Sequence, residues 1–287
     1  MNNEKNKVQD GTLYLVGTPI GNLADISERA KKVLLEADFI AAEDTRNSLR
    51  LLMALGIKNE LISYHEHNRK SSGERIVSRL LAGESCALIT DAGMPAISDP
   101  GEDIVKMCAE AGITVSVIPG ACAAVSALAL SALSTSRFAF EGFLSAKDSD
   151  RRKRLSSLAK EERTMIFYEA PHKLKNTLLD MCAAFGEDRK ISLCREITKI
   201  NEETIRLTLG DAVKLYDQSE PRGEYVLVVA GFDGVNISDE TEALLALSPE
   251  EHVQKYIDRG MTKMEATKLA AKDRGMSKSE LYKILNV

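Results

Sequence analysis

Three short loops of small residues hold the positions best suited to chemistry in this sequence. The segment Leu88-Ile89-Thr90-Asp91-Ala92-Gly93-Met94-Pro95-Ala96-Ile97-Ser98-Asp99-Pro100 leaves an apolar run, passes through Asp-Ala-Gly and a proline-bearing turn, and ends on Asp99-Pro100. Gly17-Thr18-Pro19-Ile20-Gly21-Asn22 and Ile118-Pro119-Gly120-Ala121-Cys122-Ala123 have the same character. Glycine and alanine at such places let a ligand approach the backbone closely. The first loop lacks G-x-G-x-x-G, and G-x-x-x-x-G-K-[ST] is absent from the chain, so neither phosphate fingerprint is present. Pro19, Pro95 and Pro119 each remove an N–H where a phosphate cradle needs a donor. Loops of this kind suit a neutral or cationic ligand, and a sulfonium such as S-adenosylmethionine has that character. Proline loops also occur as plain turns, and Asp91 has a purely local alternative, capping its own loop.

Other clusters say less. His65-Glu66-His67 has the look of half a metal site, but two histidines without further ligands nearby seldom hold a metal, and no metal is expected. The five cysteines, Cys86, Cys108, Cys122, Cys182 and Cys194, are odd in number, widely spaced and set in apolar runs. They read as reduced core thiols, with no CxxC to suggest zinc.

The 287 residues, 44% hydrophobic and 28% charged, suffice for about two packed domains. No apolar stretch reaches the roughly 18 residues of a membrane span, and the polar start Met1-Asn2-Asn3-Glu4-Lys5 reads as a frayed, disordered cytoplasmic N-terminus over residues 1–10. The net charge of −5 is uneven: from Arg259 onward seven basic residues face three acidic ones, a net +4 that leaves −9 on the rest. That asymmetry points to an acidic partner for the C-terminal end.

The loops need a scaffold, and the apolar periodicity supplies one. Strands are expected at Thr12 to Val16, Phe39 to Ala42, Leu61 to Tyr64, Cys86 to Thr90 and Val115 to Ile118. Between them lie helices from Ser27 to Glu36, Thr45 to Leu55, Glu74 to Leu81, and one capped by Asp99 with Pro100 at its first position and ended by Gly112. Apolar strands alternating with helices argue for a parallel sheet covered on both faces. In such sheets ligands bind past the carboxyl ends of the strands, where all three loops would sit. A small-residue helix then runs from Ala121 to about Leu133. Further strands are expected at Phe138 to Phe143, Met165 to Tyr168, Ile191 to Glu196, Thr204 to Leu209 and Tyr225 to Ala230, with helices at Asp150 to Ala159 and Pro171 to Phe185. The successive strands 191–196 and 204–209 imply antiparallel pairing. The expected organisation is therefore an N-terminal α/β domain over 11–121 with a parallel sheet, a mixed-sheet second α/β domain over 122–232, a polar linker from Gly231 to Ser238, and a helical tail over 239–287.

The tail has its own signature. Thr262-Lys263-Met264-Glu265 and Ser277-Lys278-Ser279-Glu280 are capping boxes preceded by Gly260 and Gly275. Two helices joined at a glycine turn give a helix-turn-helix pattern with a core of Leu269, Ala270, Leu281, Ile284 and Leu285. Basic charge on that pattern suggests nucleic-acid contact through Lys263, Lys278 and Lys283; the alternative is an inert hairpin packed on the body.

Several stretches resemble the ribosomal-RNA branch of the tetrapyrrole methylase superfamily: Gly11 to Leu23, Ala42-Glu43-Asp44-Thr45-Arg46, His65-Glu66-His67-Asn68, Thr90 to Gly101, Pro119 to Ala123, Phe167 to His172 and Arg195-Glu196-Ile197-Thr198-Lys199. They run in order over about residues 11–231. The resemblance implies a tetrapyrrole methylase fold, S-adenosylmethionine in the cleft between two α/β domains, a homodimer, and methylation of a cytidine ribose 2′-oxygen in the decoding region of 16S rRNA. Carried onto this chain, it places the cofactor against Pro19, Gly21 and Asn22; Asp91, Ala92, Gly93 and Ile97; and Ala121, Cys122 and Ala123, with Cys122 beside the adenine. From the second domain it adds Phe143, Leu144, Tyr168, Ala170, Pro171, Pro221 and Gly223.

Methyl transfer from a sulfonium is an in-line displacement that needs no metal, and positioning can supply most of its rate. A ribose hydroxyl is a weak nucleophile that a base would help, and Asp44, Glu196 and Lys199 are the candidates. Asp44 and Arg46 have an ion pair as their structural alternative. Lys199 serves as a base only if burial depresses its pKa; otherwise it positions a phosphate or stabilises an oxyanion. His172 is expected to orient the cofactor loop. Arg46, His65 and the run Arg151-Arg152-Lys153-Arg154 are candidates for RNA contact, the run contacting phosphate at the cleft mouth or forming a solvated surface. A small-molecule tetrapyrrole methylase and a non-catalytic RNA-binding module are the competing functions.

Overall fold

The computed structural model describes residues 7–233, 244–274 and 276–285. The chain divides into two compact units, Met1–Gly231 and Phe232–Val287. The expected linker tail over 234–238, the start of the helical region up to 243 and the Gly275 break lie outside the described residues, as do residues 1–6 of the expected disordered terminus. Residues 7–10 of that terminus are part of the fold: Val8 packs on the core, and the Gln9 amide donates to the Tyr14 hydroxyl at 2.9 Å.

The larger unit is built on two sheets. The first holds β1 (Thr12–Val16), β2 (Phe39–Ala42), β3 (Leu61–Ser63), β4 (Cys86–Ile89) and β5 (Thr114–Ile118) in the order β3-β2-β4-β1-β5. Its strand pairs are all parallel. On one face lie α1 (Glu28–Glu36) and α2 (Thr45–Ala54), burying Ala30, Val33, Leu34 and Leu52 against Val16, Ile40 and Ile89. On the other, α3 (Arg69–Leu81) and α4 (Glu102–Glu110) bury Ile76, Leu80, Ile104 and Cys108 against Leu13, Phe39 and Leu88. The nearly continuous apolar strands thus have both faces covered. Ser27 caps α1 by accepting from the Ala30 amide, as its type predicts.

The second sheet has β6 (Phe138–Phe143), β7 (Thr164–Glu169), β8 (Lys190–Arg195), β9 (Glu203–Thr208) and β10 (Tyr225–Val229) in the order β6-β7-β10-β8-β9. β6 and β7 run parallel and the other pairs antiparallel, which makes the sheet mixed. α6 (Asp148–Leu158), α7 (Pro171–Phe185) and α8 (Leu209–Asp217) cover one face around Leu155, Leu178, Met181 and Tyr216. α5 (Ala123–Leu130) covers the other, burying Ala124, Ala127 and Leu128 against Ile166, Val226 and Val228. Although α5 follows the last strand of the first sheet, its apolar side chains belong to the core of the second.

Some expectations need correction. Asp99 is not a helix cap: α4 begins at Glu102 behind Gly101, and Asp99 stays in the loop. α3 starts at Arg69, before the expected Glu74, because Gly73 packs on α4, where an added Cβ would lie 3.0 Å from Met107 Sδ. α5 stops at Leu130 and not near Leu133. α8 has no counterpart among the expected helices. Thr208 ends β9 and caps α8 through the Asp211 amide, so one residue closes a strand and opens a helix.

The smaller unit contains α9 (Pro249–Asp258), α10 (Lys263–Asp273) and α11 (Lys278–Leu285). Both expected capping boxes form, Thr262 with Glu265 and Ser277 with Glu280. A further one, Ser248 with Glu251, opens α9. The core is Leu244, Val253, Tyr256, Ala266, Ala270, Ala271 and Leu281, with Leu269 and Leu285 packed around it. Ile284, expected in this core, is instead 44% exposed. No helix among the described residues is long and apolar enough to cross a membrane.

Candidate cofactor and substrate site

The three loops lie at the carboxyl ends of β1, β4 and β5, and they are locked to one another. Thr18 and Gly93 exchange backbone hydrogen bonds at 2.9 and 3.2 Å, and the Thr18 hydroxyl donates to the Thr90 carbonyl at 3.2 Å. Gly17 and Gly120 touch backbone to backbone: a Cβ on Gly17 would lie 2.7 Å from Gly120 Cα. Only glycine at both positions permits that approach.

Beside them opens a cavity of about 560 Å³, within the range of small-ligand sites. The first sheet contributes Ile20, Asp91 to Met94 and Ile97 to Asp99, and α5 contributes Cys122 and Ala123. The second sheet contributes Phe143, Tyr168 to His172, Cys194, Ile197 and Glu224 to Val226. Tyr168 ties the two sides together, its hydroxyl accepting from the Ala124 amide at 3.2 Å. Phe140 and Phe143 pack on its ring at 5.2 and 5.4 Å.

One end of the cavity is acidic. Asp91 is steadied by the Asn47 amide at 2.8 Å. Asp99 lies deeper, and burial, followed by repulsion from Glu43 and Asp91, pushes its carboxyl up to about 6. Burial, with repulsion from Asp91, likewise raises Glu43. The loop holding Asp99 is turned back on itself by left-handed backbone at Ala96 and Ser98, and the Ala96 amide donates to the Pro100 carbonyl at 3.3 Å. Such conformations cost about 1–3 kcal/mol each and concentrate at functional sites.

A second charged group stands on the β8–β9 connection. Lys199 Nζ lies 2.9 Å from Glu196 Oε1 and 2.8 Å from Glu224 Oε2, and the Glu224 amide also donates to Glu196. Gly223, at φ +79°, leaves the room Glu196 needs. Burial alone would lower the Lys199 pKa, but the bonds to Glu224 and Glu196 outweigh it and raise it. The Glu224 amide and Lys199 hold the Glu196 carboxyl below its ordinary range. Asp44 caps α2, and its bonds to the Arg46 side chain and amide hold it at about 2.

A family model described as Tetrapyrrole (Corrin/Porphyrin) Methylases matches residues 12–213. This chain belongs to the tetrapyrrole methylase family. It is 47% identical over 274 residues to ribosomal RNA small subunit methyltransferase I of Halalkalibacterium halodurans, spanning 96% of this chain and 94% of the relative. The protein of that name from Bacillus subtilis is 45% identical over 95% of this chain and 93% of its own length. Among solved structures, diphthine synthase aligns with a TM-score of 0.57 at 15% identity, covering 76% of this chain and 89% of its own. Uroporphyrin-III-C-methyltransferase from Thermus thermophilus aligns at 0.55 and 20% identity, covering 76% and 94%. Likeness at that level speaks to the tetrapyrrole methylase fold alone.

Of the residues carried over to the cofactor, Asp91, Ala92, Gly93, Ile97, Cys122, Ala123, Phe143, Tyr168, Ala170 and Pro171 line the large cavity of this family member. Gly21 and Asn22 line a smaller cavity of about 510 Å³ beside it, together with Glu196 and Lys199. Pro19, Ala121, Pro221 and Gly223 line neither, and Leu144 is buried in the core under α6 and α7. Asp99 lines the cavity although it was not expected there, as do Met94, Ser98, Cys194, Ile197 and Glu224 to Val226, the last three directly following the expected Pro221 to Gly223.

The residues present fit a sulfonium cofactor. A half-buried carboxyl raised to about 6 beside a second acid is relieved when a cation arrives, and Asp99 and Asp91 both line the cavity.

The RNA-contact candidates scatter. Arg46 is exposed but paired with Asp44 at 2.7 Å, and His65 is half-buried with its ring 5.9 Å from that of His67. The run 151–154 is not an open basic patch. Arg151 is only 4% exposed and bonded to Asp148 and Asp180, Arg152 pairs with Asp180, and Arg154 pairs with Glu141. These carboxylates explain how a cationic run is tolerated near a helix start. Lys153, Lys263, Lys278 and Lys283 are exposed. Among the described residues, no group of three or more His, Cys, Asp and Glu is arranged to hold a metal ion.

Proposed function

We propose that this protein transfers the methyl group of S-adenosylmethionine to small-subunit ribosomal RNA, at the ribose 2′-oxygen of a cytidine in the decoding region of 16S rRNA. In this reading the cofactor lies between lobes formed by residues 11–121 and 122–232, and the protein acts as a homodimer. One observation carries it: 47% and 45% identity, along nearly the whole chain, to proteins named as small-subunit rRNA methyltransferases, tail included.

When bound, the cofactor supplies an electrophilic methyl on a leaving group that departs neutral. The chain's residues do the rest by placement. Asp91 and Asp99 hold the cationic end, and Tyr168, Phe143 and Cys122 enclose the remainder and exclude water. Catalysis then rests mainly on holding nucleophile and methyl in line. Asp44, held at about 2 by Arg46, is a poor base near neutral pH. Lys199 is held protonated, which suits it to steadying the substrate as a hydrogen-bond donor and not to taking a proton. Glu196 keeps Lys199 in place and is itself a weak acceptor, since its carboxyl is held low.

The test is transfer of labelled methyl to small ribosomal subunits from cells lacking the corresponding gene, with a tetrapyrrole precursor offered in parallel. Label in a 2′-O-methylated cytidine is the expected result. Label in the tetrapyrrole alone overturns the proposal. In the same assay Lys199→Met is expected to lower turnover at least tenfold with cofactor affinity unchanged, and Asp44→Asn to alter turnover less than twofold.

A further inference from the structure

The smaller cavity invites a separate reading. It is walled by Gly21, Asn22 and Leu23 on one side and by Glu196 and Thr198 to Asn201 on the other. It lies along the same two strips of chain that bound the large cavity, because Ile20 and Ile197 face the large one while Gly21, Glu196 and Thr198 face the small one. We propose that this second cavity seats the base of the RNA nucleotide whose ribose is methylated, which places that ribose at the border of the cofactor cavity. The proposal rests on the reading of the protein as an RNA methyltransferase.

Four observations carry it. First, the cavity exposes aliphatic side chains that folding would ordinarily cover: Leu23 is 43% exposed and Ile200 fully so. A base taken out of its stack is gripped by its faces between aromatic or apolar side chains. Second, hydrogen-bonding groups line it without internal partners among the described residues. Asn22 uses its side-chain oxygen on the Ala24 amide and leaves its NH₂ group for a ligand. The Asn201 side chain lines the cavity and has no partner among the described residues. A base edge offers the donors and acceptors these groups lack. Third, the charge excludes the obvious rival. Lys199 stands between Glu196 and Glu224, so the cluster is net negative. That net charge repels a phosphate, whereas an uncharged base is not repelled. Fourth, the connection is held in an unfavourable backbone form, with Glu196 at φ 51° and Thr198 at φ 68°. Strain of this kind is kept where geometry matters.

The experiment uses the full-length protein, S-adenosylmethionine and unmodified small ribosomal subunits. Ile200→Ala and Asn201→Ala are expected to raise the KM for subunits about tenfold each, the effect typical of one base-stacking or base-edge interaction. Cofactor affinity by calorimetry and the melting temperature should not change, since both side chains are exposed. Ile200→Leu should restore most of the affinity. An unchanged KM overturns the proposal. A parallel fall in cofactor affinity also overturns it by assigning the wall to the cofactor, and a change in sedimentation does so by assigning Ile200 to an interface between copies. If the unaltered protein transfers no label to subunits, the RNA reading fails first and takes this proposal with it.

Discussion

Asp99 shows how much a single side chain's environment decides. An aspartate before a proline at the head of a helical stretch reads as a cap, yet left-handed backbone at Ser98 keeps it out of the helix and against the cavity. There burial and the facing carboxyls of Glu43 and Asp91 raise it to about 6. The sign of the consequence follows. The raised carboxyl contributes stability that is complete below its unfolded pKa and is lost as pH rises through about 6. A bound cation reverses the balance by favouring the ionised form. S-adenosylmethionine affinity is therefore expected to fall as pH drops below about 6. Asp99→Asn should weaken binding at least tenfold at neutral pH and abolish that pH dependence, both measured by calorimetry. An Asn variant with unchanged affinity would remove Asp99 as an anchor. None of this was legible from residues 88–100 alone, because Glu43 reaches the site from the end of another strand. Asp91 and its small neighbours were legible, since their chemistry lies in residue type and loop position.

The elements repeat the pattern. Apolar runs located the strands of both sheets to within a residue or two; central strands buried on both faces announce themselves by composition, and the half-exposed edge strands β3, β5 and β9 by their β-branched residues. The strand order of the second sheet, β6-β7-β10-β8-β9, was not legible: β10 enters between β7 and β8 by pairings distant in sequence. α8 was hidden because Thr208 serves as both strand end and cap. The close approach of the β1 and β5 loops was invisible because it joins distant parts of the chain, although each loop was recognised by itself. It yields a direct prediction. On Gly120 a Cβ would lie 2.9 Å from Gly17's backbone, and no flexible side chain is available to yield. Gly120→Ala is expected to destabilise the larger unit by about 1–3 kcal/mol. It should also move the Ala121–Ala123 strip away from the cavity, lowering both the melting temperature and cofactor affinity. A variant that melts and binds like the parent would show that the loops are free to separate.

At the scale of the whole molecule, both units carry a small net negative charge. Positive charge gathers only from Arg259 onward, while the larger unit holds a cavity with an acidic end suited to a cationic cofactor. The C-terminal helices were legible in type, since their capping boxes are local patterns. Their core was legible only in part: Ile284 is exposed, while Val253 and Tyr256 of α9 fill the interior instead. Ile284 and Lys283 are both exposed on α11, and Lys278 in its first turn is exposed as well, 5.6 Å from the Tyr282 ring. If this unit holds RNA, its share of the affinity is electrostatic and shows as salt dependence, because each neutralised phosphate releases condensed counterions. Replacing Lys263, Lys278 and Lys283 together by glutamine in the full-length protein is expected to weaken RNA binding. It should also flatten the slope of log affinity against log salt by about two, since each neutralised phosphate is worth roughly 0.7–0.9 of slope. Cofactor affinity should not change, because none of the three lines either cavity. An unaltered slope would leave these helices without an RNA role. The electrostatic attraction would then belong to the larger unit, where Lys153 is an exposed cation without a carboxylate partner among the described residues.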